Sequence, residues 1–320
     1  MVKFLGRGAG FSDEHNGACF GLDKKLILLD CPLVTFNKLK KSGLDAAYNA
    51  CVDEAGDEVV TSNADGFKDG GVNFGASNGV KELIIVVTHT HSDHIGGLSL
   101  TIHFATFIWK IHVTVIAPSE AVKADLKYMF DNLDGCDTDT YDLVTAEEYI
   151  AGFCKNSGEA SGNGLDKTSD NTSDNTCWLK AAIPTKHVPA LAGKCFGYAL
   201  YIEGKNVIYT GDTCTLDPYL PYIDIDKKDI KKDIKKDIKK DIKKDIKIEE
   251  TDNSETILYT ECSAYDTGVH MFVDKLLEME SHFKENKVKV YLMHLDNVEE
   301  ISKKIKDSCF ELAPYCDILL

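Results

Sequence analysis

Apolar positions follow two periods along this chain. Short runs rich in Leu, Ile, Val and Tyr recur at 26–29, 83–87, 113–117, 197–202, 207–209, 256–259 and 288–292. Bounded by turn residues, they predict β-strands. Towards the C-terminus the period lengthens. Phe272, Leu276, Met279 and Phe283 mark one face of a predicted helix, and Ile301 with Ile305 suggest another. Alternation of the two patterns predicts a mixed α/β fold, with chemistry at strand ends.

Three segments interrupt the pattern. Residues 53–79 are glycine-rich but keep Val59, Val60, Phe67 and Phe74, which predicts a partly ordered loop. Residues 152–177 are polar, with Thr-Ser-Asp-Asn written twice from Thr168 to Asn175; such a segment cannot bury a core and is expected to be mobile. Between 224 and 250 the tetrapeptide Lys-Lys-Asp-Ile repeats five times, from Lys227 to Ile246. Isoleucine at every fourth position gives a helical stripe drifting by about 40° per repeat. An exposed amphipathic helix and a flexible tether both fit, and an expanded loop without a partner is favoured over an interaction arm, because repeat expansion needs no selected partner. The predicted organisation is one domain over 1–320 carrying these three insertions.

Composition sharpens this picture. With 43% apolar residues in 320, the chain can bury a real core, which excludes wholesale disorder and a small disulfide scaffold. There are 52 acidic against 36 basic residues, and the repeat region holds 11 of the basic ones, so the body is more acidic than the net charge of -16 suggests. Phosphate backbones are repelled by such a surface, and RNA is a disfavoured partner. Arg7 is the sole arginine, so bidentate phosphate clamping is almost absent. Eleven cysteines without a CxxC, and a start lacking a signal-peptide apolar run, fit reduced thiols in a cytoplasmic protein. The most membrane-like stretch, 99–117, carries His103, Lys110 and His112, so no transmembrane helix is expected.

The chemistry concentrates where one predicted strand ends: Leu83-Ile-Ile-Val-Val-Thr-His89-Thr-His91-Ser-Asp93-His94-Ile-Gly96-Gly97. Three imidazoles and a carboxylate within six residues form a donor set that suits zinc and similar divalent ions. On extended backbone His89 and His91 point to one side, while Asp93 and His94 lie past the bend and can face a neighbouring point, which invites two metals.

This HxHxDH pattern resembles the signature of the metallo-β-lactamase superfamily. The resemblance implies an αβ/βα four-layer sandwich with the site at one edge between two similar halves. It also implies further ligands: His187 ahead of the 197–202 strand, Asp212 in Gly211-Asp212-Thr213, and His294 after the 288–292 strand. His282 competes with His294 by chain order, but it lies on a helix whose apolar face excludes its position. By resemblance, His89, His91 and His187 hold one metal, and Asp93, His94 and His294 the other. Asp212 lies between them, and Zn2+ is favoured over Mn2+ or Fe2+. A metal-bound hydroxide would then attack an ester, making hydrolysis the implied reaction.

The segments Phe4-Leu5-Gly6-Arg7-Gly8-Ala9-Gly10, His15-Asn16 and 26–31, ending in Asp30-Cys31, are similar to the start of the tRNase Z and phosphodiesterase branch. Glu261 and His270 resemble that branch's pair assisting the leaving group, and with Asp93 they complete the candidate catalytic set. Leu295-Asp296-Asn297 departs from the branch after its last histidine, and no basic segment for gripping tRNA is present. A small-molecule phosphodiester is therefore the expected substrate. A tRNA 3′-processing endonuclease, a glyoxalase II-like thioesterase and a non-catalytic metal-binding scaffold are the alternatives, and a homodimer is allowed. Deletion of 227–246 is expected to leave turnover and metal content unchanged; activity lost with metals still bound would refute its reading as an insertion.

Overall fold

The computed structural model describes residues 1–52, 79–159, 177–223, 255–316 and 318. Of the three predicted insertions, residues 53–78, 160–176 and the whole of 224–250 lie outside the described residues, as do 251–254.

Twelve strands among the described residues build two six-stranded sheets. The first holds β1 (Lys3–Gly6), β2 (Gly17–Leu22), β3 (Lys25–Leu29), β4 (Glu82–Val86), β5 (His112–Ala117) and β6 (Tyr141–Thr145), in that spatial order. The second holds β7 (Leu179–Pro184), β8 (Phe196–Ile202), β9 (Lys205–Tyr209), β10 (Thr256–Cys262), β11 (Val288–Leu295) and β12 (Glu311–Leu312), again in chain order across the sheet. Both repeat one programme. The first three strands pair antiparallel and the remaining pairs are parallel. This is the architecture of two similar halves that the sequence resemblance implies.

Side-chain alternation shows why the sheets stack. Leu26, Leu28, Leu83 and Ile85 face a cluster shared with the helices Leu33–Ser42 and Leu98–Phe104. Their neighbours Ile27, Leu29, Ile84 and Val86 face a second cluster, which they share with Tyr209, Ile257, Tyr259 and Met293 of the other sheet. Leu258, Val290 and Leu292 face a third, with Leu276 and Phe283. Three apolar layers separate four structural ones, helix, sheet, sheet and helix, because a parallel strand buried on both faces must be apolar at every position.

The seven predicted strands are present. β1, β2, β6, β7 and β12 escaped the pattern because they are short, rich in small residues, or edge strands with polar positions. Two expectations need correction. The predicted single helix through 272–283 is two, Val273–Glu278 and Glu280–Glu285, broken at Met279. The polar segment 152–177 begins inside a helix, Ala146–Glu159. That helix starts with a capping box, in which the Thr145 backbone N–H donates to Glu148 Oε2 at 2.7 Å and the Glu148 N–H to Thr145 Oγ1 at 3.1 Å. Tyr149 and Ile150 pack on the inter-sheet core. Among the described residues no helix is long and apolar enough to cross a membrane; 99–117 divides into the end of Leu98–Phe104, a π-helical turn and β5.

Candidate metal centre

Parallel strands end together, and the candidate residues stand where they end. Asp30 follows β3, the 89–94 segment follows β4, His187 follows β7, Asp212 follows β9, Glu261 is near the end of β10, and His294 is near the end of β11. The topology alone thus gathers residues separated by up to 264 positions in sequence.

Two donor groups result. His89 Nε2 lies 3.0 Å from His91 Nδ1, and Asp212 Oδ2 lies 3.8 Å from His89 Nε2 and 3.6 Å from His187 Nε2. On the other side, Asp212 Oδ1 lies 3.2 Å from His94 Nε2 and 3.5 Å from His294 Nε2. Asp93 Oδ2 lies 3.6 Å and 3.3 Å from the same two nitrogens. Asp212 therefore turns one oxygen to each group. The donor atoms of His89, His91, His187 and Asp212 lie within 4.8 Å of one another, as do those of Asp93, His94 and His294, and those of Asp212, Glu261, His270 and His294.

These residues fit a pair of divalent cations. Ligand bonds near 2.0–2.1 Å in a tetrahedron hold donor atoms roughly 3.3 Å apart, close to the spacings found here. His94 Nε2 and Asp212 Oδ1 are buried and have no hydrogen-bond partner, an arrangement that is costly unless a cation satisfies them. Burying the Asp212 carboxylate with that of Asp93 beside it likewise calls for positive charge.

Three of the imidazoles are braced from behind by a hydrogen bond. Thr88 Oγ1 meets His89 Nδ1 at 3.0 Å, His187 Nδ1–H donates to the Val269 carbonyl at 2.9 Å, and His94 Nδ1–H donates to Asp30 Oδ2 at 2.8 Å. His294 Nδ1 lies 3.6 Å from Glu261 Oε2. Such contacts set which ring nitrogen faces the metal.

Asp30 is the residue whose role the sequence did not reveal, although it was visible as a lone acid closing an apolar run. It is fully buried and accepts from His94, from the Thr88 N–H at 2.8 Å and from Thr88 Oγ1, so one carboxylate steadies ligands in both groups. It does so at φ 62°, and His294 sits at φ 48°, so two residues of the site hold left-handed backbone that non-glycine residues seldom adopt.

Electrostatics follow this geometry. Burial and the neighbouring imidazole of His94 keep the His89 pKa well below the ordinary range. For His94 burial acts in the opposite sense to Asp212 and Asp30, and the carboxylates prevail, raising it. His294 is pushed up to about 10, with burial again outweighed by Asp212 and Asp93. Burial opposes ionisation of Asp212, but His294 and His94 hold its carboxyl well below the carboxylate range.

Beside the two groups stand Glu261 and His270. Glu261 is fully buried, accepts from the Thr213 N–H, and pairs through Oε2 with His270 Nδ1 at 2.5 Å. The His270 ring centroid is 4.8 Å from that of His187 and 5.5 Å from that of His294, so the imidazole leans over both groups. It stands in the loop before Val273–Glu278. His282 lies in Glu280–Glu285, outside the donor groups.

Two glycines permit this packing. A Cβ at Gly97 would lie 2.6 Å from the Pro32 carbonyl, and one at Gly10 would lie 2.8 Å from Asp93 Oδ2. The Gly-rich turn is thus pressed against a carboxylate of the donor cluster. Gly10→Ala is expected to displace Asp93 and weaken the binding of one divalent ion by about tenfold, the low end for disturbing a ligand's surroundings. Metal titration of the variant checks this, and unchanged affinity at both sites would contradict it.

No protein-family model matches the sequence, and no curated protein matches it. Among solved structures the chain is similar to the metallo-β-lactamase fold protein YhfI from Bacillus subtilis, with 14% identity, a TM-score of 0.54, and coverage of 98% of this chain and 95% of that one. It is similar to a diphosphatase from the PhnP family at 14% identity and TM-score 0.53, covering 98% and 94% of the two chains. The short form of human tRNase Z overlays at TM-score 0.47 and 16% identity, covering 98% and 96%. Two sheets of matching strand programme, helices on the outer faces and a histidine–aspartate cluster at the strand ends are features of one architecture, and the chain has the metallo-β-lactamase fold.

Proposed function

We propose that the protein is a dinuclear metal-dependent hydrolase acting on a small phosphodiester. The observation that carries this reading is Asp212, whose two oxygens face two separate imidazole-rich groups. His89, His91 and His187 would hold one ion, Asp93, His94 and His294 the other, with Asp212 shared between them. Two divalent ions, when bound, lower the pKa of water to about 7 and neutralise charge developing on a phosphoryl oxygen.

The chain's own groups supply the rest. Asp30, Thr88 and the Val269 carbonyl hold the imidazoles in register, so little reorganisation accompanies the reaction. Glu261 accepts from His270 Nδ1–H and leaves Nε2 as the nitrogen that can deliver a proton to the departing oxygen. His270→Ala is therefore expected to slow hydrolysis of an alkyl phosphodiester by about 100-fold. A p-nitrophenyl ester, whose leaving group needs no proton, should lose only a few-fold. Equal losses on both would assign His270 to structure rather than proton delivery.

A phosphoester is favoured over other esters on two grounds. One of the similar structures is named a diphosphatase. A small diester also places little demand on cationic side chains, and this chain has a single arginine, whose Nη1 is committed to the Ala313 carbonyl at 2.9 Å. Parallel assays of bis(p-nitrophenyl) phosphate, a cyclic nucleotide, a thioester and a pre-tRNA, on protein loaded with Zn2+, Mn2+ or Fe2+, test this. Preference for a small phosphodiester is the expected result. A preference for the thioester or the pre-tRNA would replace the reading, and two bound ions without turnover of any substrate would favour a scaffold.

A further inference from the structure

Phe11 is a fully exposed aromatic side chain beside a built catalytic cluster. A backbone bond from the Ser12 N–H to the Ala9 carbonyl, 2.9 Å, closes a tight turn with Gly10 and Phe11 at its apex. Gly10 is the residue pressed against Asp93, so Phe11 is one peptide from a residue in contact with a carboxylate of the donor cluster. The turn is held at several points. The Gly8 N–H donates to the Glu14 carbonyl at 2.7 Å, Ser12 Oγ–H to the same carbonyl at 2.9 Å, and the Ala9 N–H to the Leu295 carbonyl at 3.0 Å, next to His294. A ring displayed in water on a fastened turn contributes nothing to the core. A rigid aromatic displayed this way is pre-organised for stacking, because little is lost when a partner arrives.

A second exposed aromatic lies on the loop that carries His270. Tyr265 is 57% exposed, and its hydroxyl accepts from Asn297 Nδ2–H at 3.0 Å. The same loop is fixed by Asp296, which accepts from Ser263 Oγ–H at 2.6 Å and from the Ala264 N–H at 2.8 Å. Both aromatic loops are thus tied to one short stretch, 295–297, immediately after the ligand His294.

We propose that Phe11, with Tyr265 as a second wall, is the platform on which the base of a nucleoside phosphodiester stacks while its phosphate lies over the metal-binding groups. This rests on the phosphodiester reading and narrows its substrate class. The physical reason is what the chain lacks elsewhere: its net charge is -16 and its sole guanidinium is committed to Ala313 and lies over the Tyr315 ring at 5.4 Å. With no guanidinium free to clamp the phosphate, an uncharged contact is the natural source of further affinity, and stacking on an aromatic face accepts any base.

Calorimetric titration of the metal-loaded protein with thymidine 5′-monophosphate and with inorganic phosphate tests the platform. The nucleotide is expected to bind about tenfold more tightly than phosphate, as one stacked base provides. Phe11→Ala should bring that ratio to within about twofold of one, Phe11→Trp should preserve it, and Tyr265→Ala should lower it partly. A wild-type ratio near one, or a ratio unmoved by Phe11→Ala, overturns the proposal. Hydrolysis of methyl p-nitrophenyl phosphate by the wild type, a diester without a base, is measured beside it. Failure there with the nucleotide preference intact would remove the phosphodiesterase reading and leave the platform standing.

Discussion

Asp212→Ala is expected to lose both metal ions and all measurable hydrolysis together. Each Asp212 oxygen faces a different imidazole group at 3.2–3.8 Å, so no other single substitution takes a donor from both. Removing a residue behind a metal ligand costs about 10- to 100-fold in affinity or activity, and removing a shared ligand should exceed that. Metal content by mass spectrometry, hydrolysis rate and circular dichroism on the same sample check the prediction. A native spectrum with both ions gone is the expected combination. Retention of one ion at full occupancy, with turnover preserved, would mean that Asp212 serves one group alone and that the dinuclear reading is wrong.

Asp30→Ala should have the next largest effect, and on two observables at once. The Thr88 N–H and the His94 Nδ1–H would both lose their acceptor inside the protein, and a buried polar group left unmade costs about 1–3 kcal/mol. An alanine would also have to occupy the left-handed backbone at φ 62°, a further cost of about 1–2 kcal/mol. The sum, about 3–8 kcal/mol, should lower Tm by roughly 10 °C or more. Metal affinity should fall about 10- to 100-fold because His94 is no longer oriented. Asp30→Asn separates the two effects. It can keep an acceptor for the Thr88 N–H and tolerates the left-handed backbone, so stability should recover more than metal affinity does. Equal recovery of both would show that Asp30 acts on the metal centre only through the stability of the fold.

These two residues also show how differently parts of the site were written in the chain. The 89–94 segment announces itself because its donors lie within six residues and its geometry depends on local backbone alone. Asp212 and His294 were reached through the superfamily resemblance. Considered singly, an aspartate after Gly211 and a histidine after a strand are ordinary turn residues. Asp30 carried no local mark of its task, since its partners Thr88 and His94 are 58 and 64 residues away. The Thr145–Glu148 capping box, by contrast, was a local signal, and it outweighed the polar composition that argued against a helix there.

By itself the sequence determined the strands that are apolar on both faces, the acidic body with one arginine, and the run of imidazoles at the end of β4. Each follows from neighbours along the chain, where period, composition and turn chemistry act. Only the tertiary structure decided that both sheets use the same pairing order, that Asp212 turns one oxygen to each donor group, that Asp30 braces residues of both, and that Gly10, next to the exposed Phe11, packs against Asp93. Those facts depend on which distant strands lie side by side. Contacts of that kind are chosen by burial of whole faces rather than by any pattern within a single segment.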